Sequence, residues 1–388
     1  MVLIYRLPFF VSSMLVLIPI SISGLPECKF PAVFNFGDSN SDTGALSAMF
    51  GEPANPPPNG EAFFHSPAGR RCDGRLIIDF IAEDLGLPYL SPFLDSMGTN
   101  FSNGANFATI GSTIRRQNTT IFQSGYSPIS LDIQYEEFSW FMKRSKLIRE
   151  KGDMFKNLMP EESKFSSALY TFDIGQNDLT AGYDLNMSIE QVKAYVPDVI
   201  SQFTDTIKKV YADGGRAFWI HNTGPVGCLP YIMDTQLITA DQVDNLGCAD
   251  LFNGVSRYFN QKLKESIIQL RTELPLAAIT YVDIYAAKYS LIAQSEKLGF
   301  GDPFLVCCGI GGKYNFNNAR RCGSTEIVNG KQILIAKSCE DPSSRINWDG
   351  VHFTEAANKW IYDQISNGAF SDPPVPLKMA CLNRINDK

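Results

Sequence analysis

The sequence predicts an α/β fold built on a parallel sheet, and three observations carry that prediction. Short apolar runs at residues 32–36, 169–174, 217–221 and 277–282 read as buried strands. Longer stretches with apolar residues at helical spacing alternate with them, which places helices on both faces of the sheet. The first three runs break off into clusters of Gly, Asp, Asn, Ser or Pro. Those ends should share one edge, where open α/β sheets hold ligands and chemistry.

Taken in order, the chain opens on a targeting segment. Arg6 precedes an uncharged, mostly apolar run at 7–22, interrupted by Pro8 and Pro19 and followed by the small residues Ser21 to Gly24. The run falls short of the ~20 apolar residues of a spanning helix. It reads as a signal peptide over 1–24, cleaved near Ser23 or Gly24, ahead of a single domain over 25–388. The strand at 32–36 runs into Gly37-Asp38-Ser39-Asn40-Ser41-Asp42-Thr43-Gly44, and a Pro- and Asn-rich surface loop follows at 51–60. Leu76, Ile77, Phe80, Ile81 and Leu85 predict a helix over 73–85, stopped by Gly86. Residues 103–108 read as a small-residue turn, 115–129 as a polar loop and 131–149 as an amphipathic helix.

The strand at 169–174 leads straight into Gly175-Gln176-Asn177-Asp178. Val192, Val196, Val199, Ile200, Phe203, Ile207 and Val210 mark a helix closed by Gly214 and Gly215. A Gly/Pro loop at 222–230 follows the strand at 217–221, and a long helix is expected at 250–274. Residues 300–346 are rich in Cys and Gly and read as irregular. Gly309-Ile310-Gly311-Gly312 lacks the spacing and the preceding strand of a phosphate loop, so it reads as a disulfide-bounded loop. A last helix is expected at 354–367 with Thr354 as its cap, and the Pro-rich tail from Ser371 as extended.

A net charge of −7 over 388 residues argues against a nucleic-acid partner, which needs a basic footprint, and no basic run suggests a membrane-surface helix. Nine cysteines follow the leader without a Cys-x-x-Cys, so they predict disulfides, with at least one thiol unpaired in the monomer. The four from Cys307 to Cys339 should staple the irregular region. Sequons at Asn100, Asn118 and Asn186 agree with a glycosylated, secreted chain and predict exposed loops. No stable membrane insertion, cofactor or metal is expected; oligomeric state is not legible.

A serine at the end of the first strand is a candidate nucleophile, and such a serine needs a base. The sequence has three histidines, His65, His221 and His352. Only His352 has an aspartate three residues before it, just ahead of a helix, a spacing that lets Asp349 orient the ring while the other nitrogen faces a serine. Candidate oxyanion donors are the Ser39 N–H, the Gly104 N–H and the Asn177 side chain. Each feature also has a plain structural reading: a capped turn at Ser39, a surface ion pair for Asp349 and His352, a turn glycine at Gly104 and a loop-stabilising amide at Asn177.

Together these stretches resemble the four blocks of the GDSL (SGNH) hydrolases, in the family's order: Gly37-Asp38-Ser39, Gly104, Gly175-x-Asn177-Asp178 and Asp349-x-x-His352. The wider wording at 104–113, 218–230 and 348–358 is similar to the plant secreted GDSL esterase/lipases, on the early nodulin and α-fucosidase-like branch. The resemblance implies a flavodoxin-like three-layer α/β/α domain. It also implies Ser39 as nucleophile, His352 as base, Asp349 as its partner, and Ser39, Gly104 and Asn177 around the oxyanion. The expected activity is hydrolysis of carboxylic esters through an acyl-enzyme, on short-acyl esters of plant metabolites or cell-wall carbohydrates. The expected location is the apoplast or cell wall, with the vacuole as the alternative.

Acyl transfer by the same acyl-enzyme and lipase action on longer chains are the rivals. Glycoside hydrolysis needs two opposed carboxylates, for which Asp38 and Asp349 make a forced pair. A non-catalytic binding glycoprotein would leave the serine unreactive. An α/β-hydrolase is disfavoured because Gly-x-Ser-x-Gly is absent, and a zinc hydrolase because His-Glu-x-x-His is absent.

Overall fold

The computed structural model describes residues 27–382 except 51–55, 120 and 153–154; the expected leader lies outside the described residues, as does half of the loop at 51–60. The strands are β1 (Val33–Gly37), β2 (Gly104–Asn106), β3 (Leu169–Asp173), β4 (Ala217–His221), β5 (Ala278–Val282), the hairpin pair β6 (Thr325–Val328) and β7 (Lys331–Leu334), and β8 (Ser371–Asp372). The main sheet runs β2-β1-β3-β4-β5-β8. Its first five strands are parallel, and β8 pairs antiparallel with β5 at the edge. This is the doubly wound order, in which the chain leaves β1 towards β2 on one side and then crosses to β3 on the other. The carboxyl end of β1 therefore stands at the switch point.

Alternation along the strands sorts the core into two layers. Phe34, Phe36, Tyr170, Phe172 and Phe218 pack with the helices Leu131–Lys151, Ile189–Ala212 and Asp250–Glu273. Val33, Leu169, Ala217, Trp219 and Val282 pack with the helices Ile77–Asp84, Ile284–Ala293 and Glu355–Ile365 on the opposite face. Strands covered on both faces read as continuous apolar runs, which is why four of them stood out in the sequence. The sheet is thus the middle layer of an α/β/α sandwich. The stretch at 103–108 differs from expectation: three of its residues form β2, too short and too rich in small residues to be seen as a strand. The Cys-rich region differs too, since it contains the antiparallel hairpin of β6 and β7.

Disulfides join Cys28 to Cys381, Cys228 to Cys248, Cys307 to Cys339 and Cys308 to Cys322. Cys72 is the free thiol among the described residues, and it is buried. Asn100, Asn118 and Asn186 are all exposed. No helix among the described residues is long and apolar enough to cross a membrane.

Candidate active site

The end of β1 is locked before it turns. The Gln134 side chain binds both backbone groups of Gly37, accepting from its N–H at 2.9 Å and donating to its carbonyl at 2.8 Å. Gly37 must lack a Cβ, because that atom would meet the Asp173 carbonyl oxygen at 2.7 Å. Asp38 then donates its N–H to the same carbonyl at 3.1 Å. Its Oδ1 accepts from the Asn40 N–H and Nδ2, each at 2.9 Å. Asp42 closes the turn: Oδ1 accepts from the Gly44 and Ala45 N–H groups at 2.7 and 2.6 Å, and Oδ2 from Ile110 N–H at 2.8 Å. Ser39 sits inside this knot, with its own N–H given no acceptor among the described residues.

His352 comes from the far end of the chain, on the turn before the helix Glu355–Ile365. Asn347 Oδ1 accepts from Gly350 N–H at 2.7 Å, and Asp349 Oδ1 from the Val351 and His352 N–H groups at 3.0 and 2.8 Å. These side-chain turns fix the three-residue spacing as a shared face. His352 Nδ1 lies 2.8 Å from Asp349 Oδ2 and 3.0 Å from Oδ1, while Nε2 lies 2.7 Å from Ser39 Oγ. With Nδ1–H directed at the carboxylate, Nε2 is left as acceptor for the serine hydroxyl. Burial alone would push the Asp349 carboxyl up, but the His352 ring and its N–H outweigh it, helped by Arg71, and hold the group well below the usual carboxylate range.

The disulfide-rich region supports this turn from behind. Cys307 N–H donates to the Asn347 carbonyl at 2.9 Å and Cys308 N–H to the Trp348 carbonyl at 2.6 Å. The fully buried Trp348 donates its indole N–H to Asn59 Oδ1 at 2.8 Å. The cysteines therefore brace the histidine loop.

Beside Ser39 opens a polar cavity of about 120 Å³, lined by Ile110, Gly111, Asn177, Asp349 and His352, with Arg71, Arg321, Tyr126, Tyr231 and Asp184 around them. A serine, an imidazole and a carboxylate in line at a cavity floor form the arrangement of an acyl-transfer site. The family model of the GDSL-like lipase/acylhydrolases matches residues 33–365. The chain is 62% identical over 356 residues to the GDSL esterase/lipase At3g26430 of Arabidopsis thaliana, covering 92% of this chain and 93% of the relative. It is 56% identical to Alpha-L-fucosidase 3 of the same plant, over 88% of this chain and 91% of that one. It is also 51% identical to the GDSL esterase/lipase ENOD8 of Medicago truncatula, over 92% and 91%.

The chain belongs to the GDSL esterase/lipases.

As a member of that family it is a carboxylic ester hydrolase. Four disulfides and no membrane-spanning helix among the described residues are consistent with an extracellular GDSL esterase. Asn177, in the first turn of the helix Gln176–Asp184, lines the cavity and gives one amide N–H to the Ser112 carbonyl at 2.9 Å, leaving the other. Its neighbour Asp178 ties this helix to the loop after β2, accepting from the Ile114 and Arg115 N–H groups at 2.8 and 3.0 Å.

Gly104 is a correction. It pairs in register with Val33, four strand residues before Gly37, roughly 13 Å from the active edge. Its N–H is already donated to the Phe101 carbonyl at 2.9 Å. Glycine is needed there for close approach to β1, since a Cβ would collide with the Val33 carbonyl oxygen. Gly111, seven residues on, does line the cavity, with φ of +79° and an N–H given no acceptor among the described residues. Its signal lay in the run past β2, where the first glycine drew attention from the second. His65 is exposed, and His221 is buried at the end of β4 beside Asp173; neither lines the cavity.

Proposed function

We propose that this GDSL esterase is a secreted serine hydrolase that cleaves short-acyl esters of plant metabolites or cell-wall carbohydrates through an acyl-enzyme. The observation that carries the reading is the 2.7 Å contact between Ser39 Oγ and His352 Nε2, with Asp349 bracketing the other ring nitrogen. Ser39 Oγ attacks the ester carbonyl carbon while its proton passes to His352 Nε2. The Ser39 N–H, the Gly111 N–H and the free Asn177 amide N–H receive the oxyanion. As the C–O bond breaks, His352 returns the proton to the leaving alkoxide. Water then enters, gives a proton to His352 and its oxygen to the acyl carbon, and Ser39 leaves reprotonated.

The small cavity favours short acyl groups, since its ~120 Å³ lies below the ~300–1,000 Å³ of sites for larger ligands. The sequons at the exposed Asn100, Asn118 and Asn186 fit passage through the secretory route. The name Alpha-L-fucosidase carried by one relative does not transfer, because Asp349 is engaged by His352 and Asp38 lies under the Ser39 turn. The test is turnover of p-nitrophenyl acetate, butyrate and palmitate by the secreted glycoprotein, with Ser39 labelling by a fluorophosphonate. Serine-dependent cleavage falling with acyl length is expected; full turnover in Ser39→Ala would overturn the assignment.

A further inference from the structure

The segment before the helix Ile77–Asp84 carries three arginines of unequal fate. Arg70 is spent on Asp79, with Nε and Nη2 at 2.8 and 2.6 Å from its two oxygens. Arg75 is spent on Glu355 and Glu83, at 2.7 and 2.8 Å. Arg71 between them has no ion pair and no hydrogen bond among the described residues, and its Nε is buried without a partner. Its side chain lines the cavity that holds Ser39 and His352.

The same contrast recurs across the cavity. Arg320 pairs with Glu326 at 2.9 Å, whereas Arg321, exposed at the rim of the cavity, donates to the neutral Asn318 amide oxygen and lies 5.3 Å over the Tyr231 ring. The Arg71 and Arg321 guanidiniums repel one another. Asp349 attracts Arg71 across the cavity, but no carboxylate of the lining bonds either guanidinium among the described residues. Asp349 is filled by His352 and two backbone N–H groups, and Asp184 accepts from the hydroxyls of Tyr126 and Tyr231. A buried guanidinium with unused donors is costly unless something charged completes it.

We propose that Arg71 and Arg321 form an anion-reading subsite, so that the preferred ester carries a carboxylate or another anionic oxygen group on its alcohol half. The inference rests on the serine-hydrolase reading and specifies its substrate. The alcohol half is indicated because His352 must reach the leaving oxygen, and Arg71 is the cation acting on Asp349 behind that ring. The guanidinium fork suits planar or tetrahedral oxyanions by paired N–H donation. Neither arginine takes part in bond making.

The test uses the full secreted chain and four phenyl acetates with a para carboxylate, its methyl ester, a phosphate or a trimethylammonium group, each rate divided by that ester's hydroxide-catalysed rate. The carboxylate or the phosphate ester should exceed the methyl ester in kcat/KM by roughly 10- to 100-fold, with the cationic ester below it; which anion leads identifies the oxyanion read. In Arg71→Gln the anionic-to-neutral ratio should collapse towards one, mainly through KM, and Arg71→Lys should keep part of it. A ratio at or below one in the wild type, or a ratio unchanged in Arg71→Gln, overturns the subsite. If that happens while Ser39 still takes fluorophosphonate, only the subsite falls; if Ser39 takes none, the serine-hydrolase reading falls with it.

Discussion

Two Asp–His pairs flank the carboxyl edge of the sheet, and they behave in opposite ways. In one, Asp349 and His352 meet at 2.8 Å with both carboxylate oxygens and both ring nitrogens engaged, and the ring ends on Ser39 Oγ. In the other, His221 Nδ1 lies 3.2 Å from Asp173 Oδ2 without hydrogen-bond alignment, and Nε2 has no partner among the described residues. The second pair neighbours Asp38 and Lys288; His221, Asp38 and Lys288 are buried and Asp173 is half-buried. Burial pushes Lys288 down, and Asp173 and Asp38 pull it back up. Residue type does not distinguish a base from a core ion pair; what faces the second ring nitrogen does.

The comparison breaks first at the carboxylates. Asp349→Asn should lower kcat on p-nitrophenyl acetate by about 10⁴-fold, because it offers a donor where the ring needs an acceptor and favours the wrong tautomer. Asp173→Asn removes the same charge from the other pair and should change kcat by less than about tenfold, while lowering the melting temperature through the unpaired Lys288. Equal losses of kcat in the two variants, from purified proteins assayed side by side, would dissolve the distinction. One step smaller, Asn177→Ala should cost about 10²- to 10³-fold in kcat as an oxyanion donor is lost, with KM little changed. A loss confined to KM would instead make Asn177 a ground-state binding residue.

How much of this was legible follows from what each feature depends on. Four strands could be read because both faces are covered and their residues are apolar throughout. The Asp349–His352 unit could be read because its geometry is local, set by turns within six residues. β2 and the role of Gly111 could not, because both depend on a long-range register: β2 is three residues held by β1, and Gly111 is aimed by Asp42 through Ile110. Two glycines in one small-residue run look alike until the register places Gly104 at the far end of β2 and Gly111 at the active edge. The fate of Arg71 was equally hidden, since Arg70, Arg71 and Arg75 differ only in which carboxylates the fold brings to them.

The smallest effect is in stability and belongs to the core cluster. Asp38 is pushed up from 3.8 to about 7, first by burial and then by Asp173, against the pull of the Asn40 amides and of Lys288. The folded state therefore keeps a proton on Asp38 that the unfolded chain gives up between about pH 4 and 7. With the folded state binding more protons, stability is greatest below that window and falls as pH rises through it, by up to roughly 1.4 kcal/mol per pH unit for one proton. Asp173, held low by His221 and Lys288 despite its burial, acts in another window: its contribution is lost as pH drops below about 4. Asp38→Asn should therefore flatten the decline in unfolding free energy between pH 4 and 7 without altering the acid limb. Asp178 and Glu137, both raised by burial to about 7, preserve the remaining slope. Urea unfolding at several pH values reads the change directly. An unaltered slope in Asp38→Asn would mean that Asp38 is ionised in the folded chain, its charge balanced by Lys288, so that the core cluster would be as fully paired as the active one.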